Sequence, residues 1–276
     1  MTLPFFGPHD DPGPSFAALL RGRGLDPADR MRDASGTVDT THGTTVVAIR
    51  YADGVIMAGD RRATSGNLIS HRSMEKVFPA DRWSGVAIAG AAGPAMEMVK
   101  LFQLQLEHYE KVEGQSLSLD GKANQLSQMV RNNLPAAMQG LAVVPLFAGF
   151  DRRRNQGRLY QYDITGGRYE EGDYAATGSG SLHAGTVIKL GFRDGLDRDG
   201  GVDLAIQALF QAADDDSATG GPDPVRGIFP LVATITAEGF DLISEDDVRE
   251  RFESLLVHLR STSQIHGGSE TAGGDR

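Results

Sequence analysis

The order of elements along this sequence predicts an α+β fold. Two antiparallel sheets pack face to face with a helical layer outside each, giving a four-layer αββα sandwich. Three observations carry that prediction. Runs of strand pattern alternate with pairs of helical pattern, which does not fit the single crossover helices of a parallel βαβ sheet. Asp53-Gly54, Gly166-Gly167 and Glu238-Gly239 are turn signals of the kind that join antiparallel neighbours. The chain of 276 residues, 40% hydrophobic and 23% charged, is long enough for a sizeable core and ordinary in composition for a globular protein.

Thr44–Tyr51 (TTVVAIRY) is β-branched through its first half and reads as the first strand, with Val55–Asp60 as its return. A polar, glycine-bearing stretch, Arg61–Ser70, follows. Lys76-Val77-Phe78 then leads toward another strand pair, and Ser84–Ala91, small and apolar between turns, reads as a buried strand. Ala95–Lys111 places Ala95, Met98, Phe102, Leu106 and Tyr109 on one helical face. Lys122–Gln139 does the same with Leu126, Met129, Val130, Leu134 and Met138. Strands resume at Ala142–Phe150, Arg158–Ile164 and Arg168–Glu171. A second helical pair covers Ser181–Gly191 and Val202–Ala213. Leu231–Thr236 and Phe240–Ile243 form a last hairpin, and Glu245–Leu259 is a closing helix capped by Ser244.

The two ends differ from this body. Residues 1–43 are rich in Pro, Gly, Asp and Arg, with one helix-prone piece around Ser15–Arg21 and little that could form a core. Residues 262–276 are rich in Gly, Ser, Thr and Glu and read as a disordered tail.

Composition excludes several classes of function. Twenty-seven Lys and Arg against 37 Asp and Glu give a net charge of -10, a poor footprint for nucleic-acid phosphates. The absence of cysteine excludes a disulfide scaffold, an iron–sulfur cluster and thiol catalysis. No run approaches the ~18 apolar residues of a membrane helix. The N-terminus, broken early by prolines and by Asp10 and Asp11, lacks the apolar core of a secretory signal, so the expected location is cytoplasmic. None of the seven histidines lies three or four residues from another, and Asp214-Asp215-Asp216 reads as a solvated turn, so neither a metal nor any other cofactor is expected.

Two glycine-bearing patterns need discrimination. Gly178–Gly185 (GSGSLHAG) carries His183 where a dinucleotide-binding G-x-G-x-x-G needs glycine. It also lacks the flanking glycines of a G-x-S-x-G nucleophile elbow. The informative set is Thr41-His42-Gly43-Thr44-Thr45, GDRRAT (Gly59–Thr64), EKVF (Glu75–Phe78), IAGAAG (Ile88–Gly93), TGSGS (Thr177–Ser181) and DDDSATGG (Asp214–Gly221). Taken together and in this order, these segments resemble the β-type subunit of the proteasome core particle. The resemblance extends over about residues 44–260 and is nearest the actinobacterial type.

That resemblance implies an N-terminal-nucleophile hydrolase, a threonine endopeptidase whose nucleophile is exposed when a propeptide is removed. Gly43-Thr44 matches the cleavage junction, which would make residues 1–43 the propeptide and 44–261 the catalytic domain. The chemistry agrees. A threonine hydroxyl needs an adjacent base, and a free α-amine with a reference pKa of about 7.7–8.0 suits that role near neutral pH. Internal Thr44 has only an amide nitrogen, so the encoded chain would be a zymogen.

The resemblance also assigns supporting residues. Asp60 would pair with Lys76, whose ammonium favours the deprotonated amine and the alkoxide-like Thr44. Gly90 would supply an oxyanion-hole N–H. Ser179 would lie near the threonine amine, with Asp216 orienting it, and Thr219 stands where the family often has serine. The pocket beside the nucleophile would be lined by Ala63, Met74, Ile88, Ala92 and Met96.

The implied partners are copies of the same chain in a seven-membered ring and α-type subunits in a four-ring particle. A ring ATPase and unfolded substrate proteins marked by a small ubiquitin-like protein complete the set. Two alternatives stand beside this reading. A non-catalytic ring subunit would have no chemical need for Thr44, Asp60, Lys76 and Gly90 together. A stand-alone amidohydrolase would lack the proteasome-type segments.

Overall fold

The computed structural model describes residues 15, 18–20, 43–65 and 68–267. Most of the segment 1–43 read as a propeptide, and the end of the tail, therefore lie outside the described residues.

The first sheet has the order β10-β1-β2-β11-β12, built from β1 (Thr45–Tyr51), β2 (Gly54–Gly59), β10 (Tyr174–Gly178), β11 (Leu231–Ile235) and β12 (Phe240–Leu242). The second has the order β5-β6-β7-β8-β9, from β5 (Val77–Asp81), β6 (Ser84–Gly90), β7 (Val143–Asp151), β8 (Gln156–Tyr162) and β9 (Arg168–Glu171). All pairings in both sheets are antiparallel. A separate hairpin joins β3 (Ala63–Ser65) to β4 (Leu68–His71).

The period-2 alternation of strands builds the sandwich. Along β1, Val46 and Ala48 face the second sheet and pack with Val77, Ala87, Leu146 and Leu159. Val47 and Ile49 point the other way, onto helices α4 (Ser181–Gly191) and α5 (Arg198–Asp215) and the closing helix α6 (Glu245–Gly267). On the far side, Phe102 and Leu126 from α1 (Ala92–Glu113) and α2 (Leu119–Asn132) cover Phe147 and Tyr160 of the second sheet. The four layers are those the sequence predicts.

Several boundaries differ, each for a physical reason. The periodic stretch Lys122–Gln139 is two helices, α2 and a short α3 (Leu134–Ala137), because Pro135 cannot donate to the α2 ladder. The helix predicted from Val202 begins at Arg198, where the Asp197 side chain accepts the Gly200 N–H at 2.8 Å. Ser244 caps α6 as expected, accepting the Asp247 N–H at 3.2 Å. That helix continues past Leu259 to Gly267, so its last turns occupy residues 262–267, the start of the stretch read as tail. No glycine or proline interrupts it before Gly267.

In the N-terminal segment, residues 18–20 are helical, with Ser15 Oγ accepting the Ala18 N–H. Leu19 and Leu20 are buried against Leu101 and Leu104 of α1, so this helix-prone piece contributes a small apolar cluster of its own.

Candidate active site

The predicted residues converge at one end of the first sheet. Thr44 immediately precedes β1, Asp60 follows β2, Ser179 follows β10, and Asp216 caps the C-terminus of α5. The β1–β10 and β1–β2 registers place Thr45 opposite Gly178 and Val46 opposite Gly59, which fixes these strand ends side by side. The second sheet contributes Lys76, just before β5, and Gly90, the last residue of β6.

Asp60 is fully buried and all its acceptor capacity points at donors. Oδ1 accepts the Lys76 ammonium at 2.7 Å and the Thr45 N–H at 2.8 Å. Oδ2 accepts the N–H groups of Arg62 and Gly220, each at 2.9 Å. Lys76 is 1% exposed, which rules out a solvated strand-end lysine. Its ammonium also donates to the Arg62 carbonyl at 2.5 Å and to the Gly43 carbonyl at 3.5 Å. Burial pushes the Lys76 ammonium below the ordinary lysine value, against the opposing pull of Asp60, and the nearby Arg62 adds to the fall.

Thr44 Oγ1 donates to the carbonyl of the preceding residue, Gly43, at 2.8 Å. Lys76 thus meets Thr44 at the oxygen of the bond before it. On the opposite side, the Thr44 N–H donates to Ser179 Oγ at 3.4 Å, and the Ser179 N–H donates to the Thr44 carbonyl at 2.8 Å. Ser179 Oγ and Thr219 Oγ1 each donate to Asp216 Oδ2 at 2.5 Å. Burial opposes ionisation of Asp216, but these hydroxyls, the Ala218 N–H and nearby His183 outweigh it and hold the carboxyl below its usual value.

Two glycines are required by geometry. A Cβ at Gly43 would lie 1.9 Å from Ala218 Cβ, so the loop after α5 leaves no room for a side chain at that position. Gly90 has φ +111°, and a Cβ there would lie 2.1 Å from the Ala142 carbonyl oxygen.

A small cavity of about 10 Å³, the threshold for a single water, opens between Thr44, Lys76 and Gly90. Ala63, Met74, Ile88 and Ala92, four of the five residues named for the pocket, line it. Met96 does not; it packs against the apolar cluster beneath α1, and Ala95 takes the expected place at the wall. Ala95 and Met96 are neighbours in α1, set about 100° apart around its axis, so only one of the two can face the cavity.

Two neighbours were not singled out from the sequence. Arg62 donates through Nη1 to the carbonyls of Ser217 and Thr219, tying the strand-end loop to the loop that carries Asp216. Thr45 bonds to both halves of the site. Each lies within a quoted segment, but neither segment by itself indicates the partners that lie 135 or more residues away along the chain. Among the described residues, no group of three or more His, Cys, Asp or Glu side chains is placed to hold a metal ion, and no helix is long and apolar enough to cross a membrane.

Comparison with known proteins places this arrangement. The family description "Proteasome subunit" matches residues 40–225. The chain is 58% identical to "Proteasome subunit beta" of Acidimicrobium ferrooxidans over 267 residues, covering 97% of this chain and 96% of that protein. It is 59% identical to the protein of the same description from Streptomyces griseus over 221 residues, 80% and 79% of the two chains. A third such protein, from Jonesia denitrificans, is 53% identical over 225 residues, 82% and 74% of the two chains. The sandwich, the convergent strand ends and these likenesses together show that the chain belongs to the proteasome subunit family, alongside the β subunits of actinobacteria.

Proposed function

We propose that this chain is the catalytic β subunit of a proteasome core particle, a threonine endopeptidase made active when Thr44 becomes the N-terminus. The observation that carries the reading is the contact set at the Gly43-Thr44 bond. A hydroxyl sits on the carbonyl before it, and a buried Lys76–Asp60 pair faces the same oxygen. In self-cleavage, Thr44 Oγ bonds to the Gly43 carbonyl carbon and negative charge develops on its oxygen, 3.5 Å from the Lys76 ammonium. The C–N bond then breaks, and the hydroxyl proton ends on the departing Thr44 nitrogen. Water hydrolyses the resulting ester, giving a Gly43 carboxylate and a free Thr44 hydroxyl and α-amine.

The freed amine then serves as the base for the same hydroxyl. Ser179 and Asp216 hold the nitrogen, while Lys76, supported by Asp60, lowers the energy of its neutral form and of the alkoxide-like oxygen. Thr219 adds the second hydroxyl on Asp216, and the Gly90 N–H receives the oxyanion of a peptide substrate. Seven copies form the β ring in a cytoplasmic four-ring particle with α-type subunits. A ring ATPase feeds it unfolded proteins marked by a small ubiquitin-like tag.

Gly43 requires space that no other residue fits. Gly43→Ala is expected to slow conversion of precursor to mature chain by more than about tenfold, because displacing Ala218 moves the loop that holds Asp216 and Thr219. A time course of the two species on a denaturing gel measures it; conversion at the wild-type rate contradicts the steric argument.

Gly43 also forms part of the cavity wall, so removal of residues 1–43 enlarges it. The walls left behind, Ala63, Met74, Ile88, Ala92 and Ala95, are apolar, and cleavage after hydrophobic residues is the expected preference. Fluorogenic peptides varied at that residue test this. Faster turnover of acidic than of apolar peptides contradicts the assignment.

A further inference from the structure

Thr45 is 0% exposed and is bonded to both halves of the site. Its N–H goes to Asp60 Oδ1 at 2.8 Å, the oxygen that also holds Lys76. Its hydroxyl accepts the Gly180 N–H at 2.9 Å and lies 2.5 Å from Thr219 Oγ1. The direction of that last bond follows from the neighbours. A hydroxyl has one hydrogen to give, and Thr219 gives its own to Asp216. The hydrogen between Thr45 and Thr219 therefore comes from Thr45. The chain of donors runs from Gly180 N–H to Thr45, to Thr219, to Asp216. Ser179 gives its one hydrogen to Asp216 at 2.5 Å rather than to the Thr44 carbonyl, which lies farther off at 3.4 Å, and so turns a lone pair toward the Thr44 nitrogen.

We infer that Thr45 is a positioning residue for peptide hydrolysis: its hydroxyl fixes the donor order through Thr219 and Asp216, and so holds Ser179 as an acceptor toward the Thr44 nitrogen. The inference rests on the reading of Thr44 as nucleophile. Removal of the Thr45 hydroxyl leaves two buried groups without their partner, the Gly180 N–H and the Thr219 oxygen, and the loop carrying Asp216 relaxes to satisfy them. The cavity walls are separate residues, so substrate binding is not touched.

The experiment compares Thr45→Val, which keeps the branched shape, with Thr45→Ser, which keeps the hydroxyl. Both are made in full-length chains assembled with their α-type partner. Peptide turnover is expressed per mature chain, counted by intact mass. Thr45→Val is expected to lower kcat by at least about tenfold with KM within about twofold of wild type, and Thr45→Ser to stay within about threefold of wild type. Wild-type kcat in Thr45→Val, or equal losses in both variants, overturns the role of the hydroxyl. Should Thr45→Val not assemble, Thr45→Ala against Thr45→Ser gives the same comparison, since these differ in the hydroxyl alone; equal rates overturn the proposal. Thr44→Ala measured alongside separates the two layers. Turnover surviving in Thr44→Ala overturns the nucleophile itself, whereas an inactive Thr44→Ala beside a fully active Thr45→Val overturns only the positioning role.

Discussion

Thr44→Ala is expected to abolish peptide hydrolysis, by more than about a thousandfold, and to leave the chain at its full 276 residues. On the proposed mechanism the substitution removes the atom that attacks in both reactions, so the two losses arise together. It costs the fold little. The hydroxyl makes one bond, to the Gly43 carbonyl, and the backbone bonds of Thr44 to Ser179 are untouched. Particles should still assemble. Thr44→Ser retains an attacking hydroxyl and should mature and turn over at reduced rates. Mass analysis of assembled particles and a peptidase assay on the same sample check both expectations. Efficient maturation of Thr44→Ala would refute intramolecular attack by this residue.

The second large effect belongs to Lys76. With 1% exposure and Asp60 at 2.7 Å, its ammonium is a compact charge in a closed site, and the planar fork of arginine is too large to replace it. Loss of transition-state stabilisation by ~3 kcal/mol slows turnover by more than a hundredfold. Lys76→Ala leaves Asp60 with three N–H donors, from Thr45, Arg62 and Gly220, so the buried carboxylate is not abandoned and the chain folds. Both Lys76→Arg and Lys76→Ala should assemble yet neither mature efficiently nor hydrolyse peptides. Making them on a chain that begins directly at Thr44 separates maturation from turnover. If Lys76→Arg on that chain keeps most of the wild-type peptidase rate, Lys76 is not catalytic.

Much of this was legible in the sequence because strong local signals coincide with the elements that matter. The β-branched run after Thr44 gives β1, and the helical spacing of Phe102 and Leu106 gives α1. What was illegible depends on neighbours distant in sequence. β10 is five residues, Tyr-Ala-Ala-Thr-Gly, with no alternation to mark it. It is a strand because β1 offers it a ladder. The hairpin of β3 and β4 is short and largely exposed, so no apolar pattern announces it.

Asp53-Gly54 reads as a turn, yet the turn is Ala52-Asp53. Gly54 opens β2, where a Cβ would lie 2.0 Å from the Ile235 carbonyl oxygen. Its glycine serves sheet packing instead. The same limit applies in the site. Motif likeness brought Asp60, Lys76, Ser179, Asp216 and Thr219 to one place. Thr45 and Arg62 became visible only when their partners across the fold were known.

On the proposed function this chain is a precursor whose nucleophile is made by cutting before Thr44. N-terminal sequencing of the β chain from assembled, peptidase-active particles tests it most directly. The expected result is a single mature chain beginning Thr44-Thr45-Val46, with residues 1–43 removed. An active particle whose chain begins at any other residue, or in which the Gly43-Thr44 bond is intact, contradicts it.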